Sequence, residues 1–415
     1  MISIVALAAS SSVSGPAARA SAALGPEHPT VATSRTNLGV VLLVRGRLPE
    51  AEAEFRRAIE IRERYRTQRQ DQSYLFVRDI FTTVVGVGVP LALHLDNAGA
   101  SSYPPGWQDY RAVATYDRQH FFRVPTDYDG KRLTIRHTPT RDSVYYSYFA
   151  PYSHERHQDL IARCLASADV HHALLGHTLD GRDMDLLTIG TPGDGRRVCW
   201  VIARQHPGET MAEWLVEGLL ARLLDPEDPV ARELRRQAVF HVVPNMNPDG
   251  SFRGNLRVNA AGANLNREWQ SPTRERSPEV LLVRQRMEQT GVDYCLDVHG
   301  DEALPYNFIA GPDGVPSFTK RQEALQAAYE QALVRASPDF QTKYGYDPTP
   351  PGQANMTMCT TWCAERFDCL AMTLEQPFKD TADAPNEAVG WSPERCRQLG
   401  RANLDALLAV IGDLR

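Results

Sequence analysis

The chain has little lysine: only four of its 45 basic residues are Lys (Lys131, Lys320, Lys343 and Lys379), and the rest are Arg. Against 51 acidic residues this leaves a net charge of −6, too mild for a nucleic-acid surface or a polybasic membrane anchor. No nucleic-acid or membrane partner is therefore expected. Long apolar runs are missing as well, and none reaches the length that spans a bilayer. Residues 2 to 9, Ile-Ser-Ile-Val-Ala-Leu-Ala-Ala, have the apolarity of a signal-peptide core, but no Lys or Arg precedes them. There is no Gly-x-x-x-x-Gly-Lys-Ser/Thr loop, no Gly-x-Ser-x-Gly elbow and no His-Glu-x-x-His helix. That removes the commoner nucleotide-binding, serine-hydrolase and zincin chemistries. Seven cysteines form an odd set without a short disulfide-scaffold spacing, so reduced thiols and a cytoplasmic location are expected. Cys359 and Cys363, with Cys369 nearby, read as small packing residues at helical spacing.

What is present divides into three regions. At 415 residues, with 42% hydrophobic and 23% charged residues, the chain is long enough for two or three globular domains. Residues 1–67 form a short helical segment, in which Leu38, Gly39, Leu42, Ala51, Phe55 and Ala58 occupy the helix-turn-helix positions of one tetratricopeptide-like repeat. A single repeat cannot bury its apolar face alone. It is read as a remnant of an array or of a misplaced gene start, with a protein partner as the other use of the segment. Residues 72–150 alternate in short runs, Pro90 to Leu95, Tyr110 to Tyr116, Leu133 to His137 and Ser143 to Phe149, which predicts a small β-sandwich. Gln68 to Thr83 does not read like strands. From residue 151 to 415 strands and helices alternate, with strand-like runs from Arg197 to Ala203, Ala238 to Val243 and Leu370 to Glu375 and helical periodicity from Pro278 to Thr290, Ser317 to Ser337 and Asn355 to Glu365, which predicts an α/β domain on a mixed sheet.

The chemistry concentrates at strand ends. Val198 to Ala203 is an unbroken apolar run, read as a buried parallel strand. It is followed by Arg204-Gln205-His206-Pro207-Gly208-Glu209, and then by Met211, Trp214, Leu215, Leu219 and Leu220 at helical spacing. His206 and Glu209 thus straddle a strand-to-helix junction and can turn toward one metal ion. His299, ninety residues beyond Glu209, ends the apolar strand that starts at Tyr294. Strand ends are where open α/β sheets place ligands. Two His and one carboxylate leave zinc a fourth position for water, the mark of a catalytic rather than a structural site. Asp297, two residues before His299, is placed to orient an imidazole or to remain a solvated strand-end carboxylate. Glu375 ends another apolar strand, Leu370 to Leu374. The pairs His171/His172 and His154/His157 read as satisfied surface imidazoles, and Asn247-Pro248-Asp249-Gly250 as a turn.

Five motifs occur in order: His206-x-x-Glu209, Asn245-Met246-Asn247-Pro248-Asp249-Gly250, Asn264-Leu265-Asn266-Arg267, Asp297-Val298-His299-Gly300 and Thr373-Leu374-Glu375. Together they resemble the zinc metallocarboxypeptidases, most of all the cytosolic carboxypeptidase branch, over roughly residues 75 to 412. The resemblance implies a zinc carboxypeptidase fold preceded by a β domain, one zinc ion per chain on His206, Glu209 and His299, and a peptide or protein C-terminus as substrate. It assigns Glu375 as general base and acid, Asn266 and Arg267 as the anchor of the terminal carboxylate, and Arg257, with Arg253 as its neighbouring alternative, to the scissile carbonyl. It also implies a preference for acidic C-terminal residues, although no basic residue stands out to line such a pocket. The family's mobile Tyr has no clean match; Tyr344 and Tyr346 are both open. The rival activity on the same donors is a zinc amidohydrolase acting on N-acyl amino acids or cell-wall peptide amides. A non-enzymatic scaffold built on residues 1–66 is a further alternative.

Overall fold

The computed structural model describes residues 90–193 and 195–415, the backbone of the strand Phe81–Val84, Gly88, and positions 35, 49–50, 52–54 and 56–57. The chain forms two compact units, Met1–Ser73 and Tyr74–Arg415. In the first, the described positions from 49 to 57 are helical, and Arg35, also helical, pairs with Glu54 at 2.7 Å. The remaining positions of the tetratricopeptide-like pattern lie outside the described residues.

Among the described residues, the N-terminal part of the second unit holds seven short strands: β1 (Phe81–Val84), β2 (Leu91–Leu95), β3 (Val113–Thr115), β4 (Phe121–Arg123), β5 (Thr126–Tyr128), β6 (Leu133–His137) and β7 (Ser143–Ser147). They make two antiparallel sheets, in the orders β1-β7-β3-β4 and β2-β6-β5. Inward residues of both, among them Ala114, Val144 and Tyr146 from one and Leu133 and Ile135 from the other, join a single apolar cluster. This is the expected antiparallel N-terminal domain. It has two strands, β4 and β5, that the sequence reading left out, separated only by Val124 and Pro125. The end of the stretch that did not read as strand does pair: Phe81–Val84 runs antiparallel to β7.

The elements that follow are α1 (His154–Leu165), β8 (Val170–His177), β9 (Asp183–Ile189), β10 (Arg197–Ala203), α2 (Met211–Leu223), α3 (Pro229–Gln237), β11 (Ala238–Val243), α4 (Pro248–Arg253), α5 (Pro278–Thr290), β12 (Tyr294–Val298), β13 (Phe308–Ala310), α6 (Lys320–Ala336), α7 (Cys359–Phe367), β14 (Leu370–Glu375) and α8 (Pro393–Val410). Their strands form one mixed sheet, ordered β13-β14-β12-β10-β11-β9-β8. The pairs β14/β12, β12/β10 and β10/β11 are parallel; the outer pairs are antiparallel. The mixed α/β sheet is the predicted architecture. The segment expected as a plain turn begins instead the one-and-a-half-turn helix α4, with Asn247 as its N-cap: the Asn247 side chain accepts from the Gly250 N–H, and Pro248 sits at the first helical position.

Both faces of the sheet are buried, which explains the unbroken apolar runs. Because successive side chains point to opposite faces, Cys199, Val201 and Ala203 of β10 face one core, with α2, α6 and α8, while Trp200 and Ile202 face the other, with α5 and α7. On the first side α2 and α8 touch backbone to backbone. A Cβ at Gly218 would lie 2.2 Å from the Arg397 carbonyl oxygen, so only glycine permits the crossing. The consequence for the site is rigidity: three parallel neighbours, β10, β12 and β14, end side by side between two packed layers.

Candidate functional site

The turn leaving β10 is built to project side chains. Arg204 adopts φ +59°, in the left-handed region, which costs a non-glycine residue about 1–3 kcal/mol unless its surroundings hold it. They do. Its buried guanidinium donates to the carbonyls of Pro207 and Tyr152, each at 2.9 Å, and pairs with Glu213. Gly208 then passes so close to Leu256 that a Cβ would meet Leu256 Cδ1 at 2.6 Å, and its N–H donates to the Leu256 carbonyl at 2.8 Å. The tight turn brings His206 and Glu209 to the same side, just ahead of α2. His299 arrives from the end of β12, its N–H donating to the Leu374 carbonyl of the adjacent strand at 2.8 Å.

These three side chains converge. His206 Nδ1 lies 2.7 Å from Glu209 Oε1, His299 Nδ1 lies 2.8 Å from Glu209 Oε2, and the two Nδ1 atoms are 3.2 Å apart. All three residues are buried, and the set can hold a metal ion. Each imidazole is steadied from behind: His206 Nε2 is 2.9 Å from Asn264 Oδ1, and His299 Nε2 is 3.0 Å from Asp297 Oδ2. Acceptors on Nε2 fix the tautomer that leaves Nδ1 free as a ligand atom. Asp297 is held in turn by Gln205 Nε2 at 2.6 Å. Burial pushes the His206 imidazole down to about 4, so its ring is neutral at neutral pH. Burial opposes charge on His299 too, but the Asp297 and Glu209 carboxylates outweigh it and drive its pKa well above the ordinary value. Two carboxylates thus call for positive charge at this point, and two imidazole nitrogens with one carboxylate suit zinc.

Glu375 ends β14 beside this set. Only 8% of it is exposed, and its Oε2 is buried without a hydrogen-bond partner. Burial pushes its pKa well above the ordinary carboxylate range; His299 opposes the shift, and Glu209, Asp301 and Glu302 add to it. The Tyr346 hydroxyl donates to Asp301 Oδ2 at 2.6 Å and lies 3.3 Å from Glu375 Oε1. Tyr344 instead stacks on Tyr306 at 4.4 Å. Of the two tyrosines left open, it is Tyr346 that reaches the site.

Asn266, Arg267 and Arg257 line the same cavity, of about 850 Å³, together with His206, Glu209, His299 and Glu375. Asn266 Oδ1 accepts from the Cys359 N–H at 2.9 Å, which leaves the amide NH2 as its donor edge. Arg267 donates one Nη1 bond to the Asn266 carbonyl at 2.6 Å, and no carboxylate pairs with it among the described residues. Burial and then Arg257 lower its pKa. Arg257 Nη1 stands 4.0 Å from Glu209 Oε1. Arg253, the neighbouring alternative, is tied to Asp180 at 2.5 and 2.7 Å and does not line the cavity. The two lining guanidiniums put positive charge next to the metal-ligand set, where an anion could be held.

Three positioning contacts were invisible in the sequence. Asn264 lies inside a motif and Gln205 directly before one, yet only the fold shows them behind the imidazoles. The third is a buried network in which Asp185 bridges His172 (2.7 Å) and His157 (3.1 Å), and His157 Nδ1 meets Glu213 at 2.8 Å. Glu213 is the partner of Arg204, so His157 is no surface imidazole: it helps hold the turn that carries His206.

A mixed sheet whose parallel strands end on two imidazoles, a donor carboxylate and a second buried carboxylate is the architecture of a metal-dependent peptidase. The chain belongs to the zinc carboxypeptidase family, which matches residues 165–383. Residues 54–149 match the cytosolic carboxypeptidase N-terminal domain, and residues 31–65 a tetratricopeptide repeat. The structure is similar to the metallo-carboxypeptidase of Burkholderia cenocepacia, at 49% identity and TM-score 0.78 over 80% of this chain and 89% of that one. It is also similar to the metallo-carboxypeptidase of Pseudomonas aeruginosa solved with (2-guanidinoethylmercapto)succinic acid, at 42% identity and TM-score 0.80 over 84% and 93%. Cytosolic carboxypeptidase 3 of Bos taurus is 31% identical over 336 residues, 74% of this chain; the chain spans 32% of that relative's length. No helix among the described residues is long and apolar enough to cross a membrane.

Proposed function

We propose that the chain removes residues from peptide or protein C-termini, using one zinc ion held by His206, Glu209 and His299. The observation that carries this is the convergence, in one cavity, of a two-His, one-Glu donor set, a buried carboxylate with one unpartnered oxygen, and two guanidiniums that, among the described residues, have no carboxylate partner beyond Glu209. The chemistry zinc supplies when bound is Lewis acidity, which makes water acidic near neutral pH and polarises a carbonyl.

The chain's own residues supply the rest. The donor edge of Asn266 and the free nitrogens of Arg267 hold the terminal carboxylate, a planar match that an amidated terminus lacks. Arg257, beside Glu209, stabilises charge developing on the scissile carbonyl oxygen. Glu375, buried and with one oxygen unpartnered, takes a proton from the attacking water and delivers it to the departing amine. The Tyr346 hydroxyl steadies Glu375 at the cavity mouth.

The lining does not favour an acidic C-terminal side chain. Apart from the metal-ligand set and Glu375, the carboxylates and guanidiniums around the cavity are Arg257, Arg267, Asp301, Glu302, Asp313 and Asp347. Both arginines are committed in this mechanism, so no cationic side chain of the lining is left for a terminal Glu, while the carboxylates of Asp301, Glu302, Asp313 and Asp347 would oppose it. We therefore place neutral or basic C-terminal residues ahead of acidic ones.

The direct test of the metal assignment is removal and return. Chelator-treated protein is expected to stop shortening peptides and to recover on addition of zinc, whereas His206→Ala and His299→Ala variants do not recover. Full activity after complete metal removal would overturn the assignment.

A further inference from the structure

A second group of metal-ligating atoms lies behind the catalytic cavity. Cys295 lies on the face of β12 that points to the α5 and α7 side of the sheet, while Cys359 and Cys363 stand one turn apart on the facing side of α7. All three are fully buried, and their sulfurs lie within 4.8 Å of one another. The Cys359 and Cys363 sulfurs are 3.9 Å apart, and Met287 Sδ is 4.0 Å from Cys363 Sγ. Cys359 and Cys363 read from the sequence as packing residues; the third thiol comes from a strand more than sixty residues away, and only the fold adds it.

We propose that Cys295, Cys359 and Cys363 form a site for a thiophilic divalent ion of the zinc and cadmium kind, separate from the His206, Glu209 and His299 set. Metal–sulfur bonds of about 2.3 Å in tetrahedral or trigonal geometry set sulfurs about 3.8–4.0 Å apart. One pair already has that spacing, and the third sulfur needs to close by at most about an ångström. The donors are all soft, so ions that demand oxygen ligands are excluded; the thiols share their core cluster with Val283, Trp362, Ala364 and Cys369, and the one charge felt at Cys295 is that of Asp297 on the same strand. Binding breaks three S–H bonds, releases three protons to solvent and forms three metal–sulfur bonds; no electron moves. Three thiolates on a divalent ion leave one net negative charge, against two for a monovalent ion, and an apolar surrounding favours the smaller.

The position gives such an ion a role. Cys359 lies between Met358 and Thr360, which line the catalytic cavity, and its N–H is the bond that orients Asn266. An ion at the cluster would fasten α7 to β12 and so hold the donor edge of Asn266 toward the substrate carboxylate.

The test uses the full chain produced in cobalt-supplemented medium, so that metal is present as it folds. The His206, Glu209 and His299 set contains no sulfur, so a near-ultraviolet sulfur-to-cobalt charge-transfer band reports only thiolate ligation. The expected result is that band, with one more cobalt ion per chain in the wild type than in Cys295→Ala or Cys363→Ala, both of which lack it. Should one variant fail to fold, the other and the wild-type spectrum carry the test. A cobalt-loaded wild type without the band, or a band unchanged in the variants, would overturn the proposal.

Discussion

Replacing Glu375 by Gln separates proton transfer from everything else the residue does. The side chains have the same shape, so the end of β14 keeps its packing. Glu375 has one weak partner, the Tyr346 hydroxyl at 3.3 Å, and its other oxygen has none. The Tyr346 oxygen can accept from the new amide, so the fold loses at most one poorly satisfied polar group, about 1–3 kcal/mol. Catalysis loses the group that accepts and returns the proton, which is worth about 10²- to 10⁴-fold in rate, or about 3–5 kcal/mol of barrier. The assay is kcat on a peptide with a free C-terminus, alongside zinc content and the melting temperature of the same preparation. The account expects unchanged zinc, a small shift in melting and kcat down by at least about a hundredfold. An E375Q enzyme that keeps its zinc and turns over within a fewfold of wild type would refute the role given to Glu375.

Arg267 should matter through its shape as well as its charge. Arg267→Lys keeps the charge but not the planar fork, so kcat/KM should fall about 10- to 100-fold, mostly in KM, as expected for a charge-assisted bidentate contact; an unchanged KM would remove Arg267 from the carboxylate anchor. His157 predicts a pH dependence of stability. Burial opposes its charge, but the bonds from Asp185 and Glu213 prevail and raise it to about 9 from 6.5. A folded-state value above the unfolded one stabilises fully below pH 6.5 and is lost as pH rises through 9. The loss is on the order of 3 kcal/mol. Urea unfolding at pH 6 and pH 9.5 should show that drop in the wild type and a flatter response in His157→Gln; equal slopes would contradict the network's charge state.

The strands that carry the chemistry could be read from sequence because they are buried on both faces. β10, β11 and β14 have the bounds the apolar runs predict, and α5 has its predicted ends. Shorter or half-exposed pieces were harder. β4 and β5, three residues each, carry too few side chains for a period to show. α7 starts at Cys359 rather than Asn355, because the intervening residues are taken up by tertiary bonds such as Trp269 N–H to the Thr357 carbonyl. The α6 start was expected at Ser317, yet the capping box of Thr319 and Gln322 was available in the sequence to move it to Lys320. In the site, His206, Glu209, His299 and Glu375 stood out because polar residues at the ends of apolar strands need a reason to be there. Asn264, Gln205, Cys295 and the buried His157 did not stand out, and Tyr346 could not be told from Tyr344, since their partners lie far away along the chain and only the fold brings them together.

The cavity is proposed to recognise a free C-terminus and to direct cleavage next to it. Mass spectrometry of the zinc-loaded protein with a peptide panel, each peptide with a free and an amidated C-terminus and ending in Glu, Lys or Leu, tests it directly. The account predicts stepwise loss of single residues from free termini only, with Lys and Leu removed ahead of Glu. Shortening of amidated peptides at the same rate, or no shortening of any peptide by a protein shown to hold zinc, would contradict it.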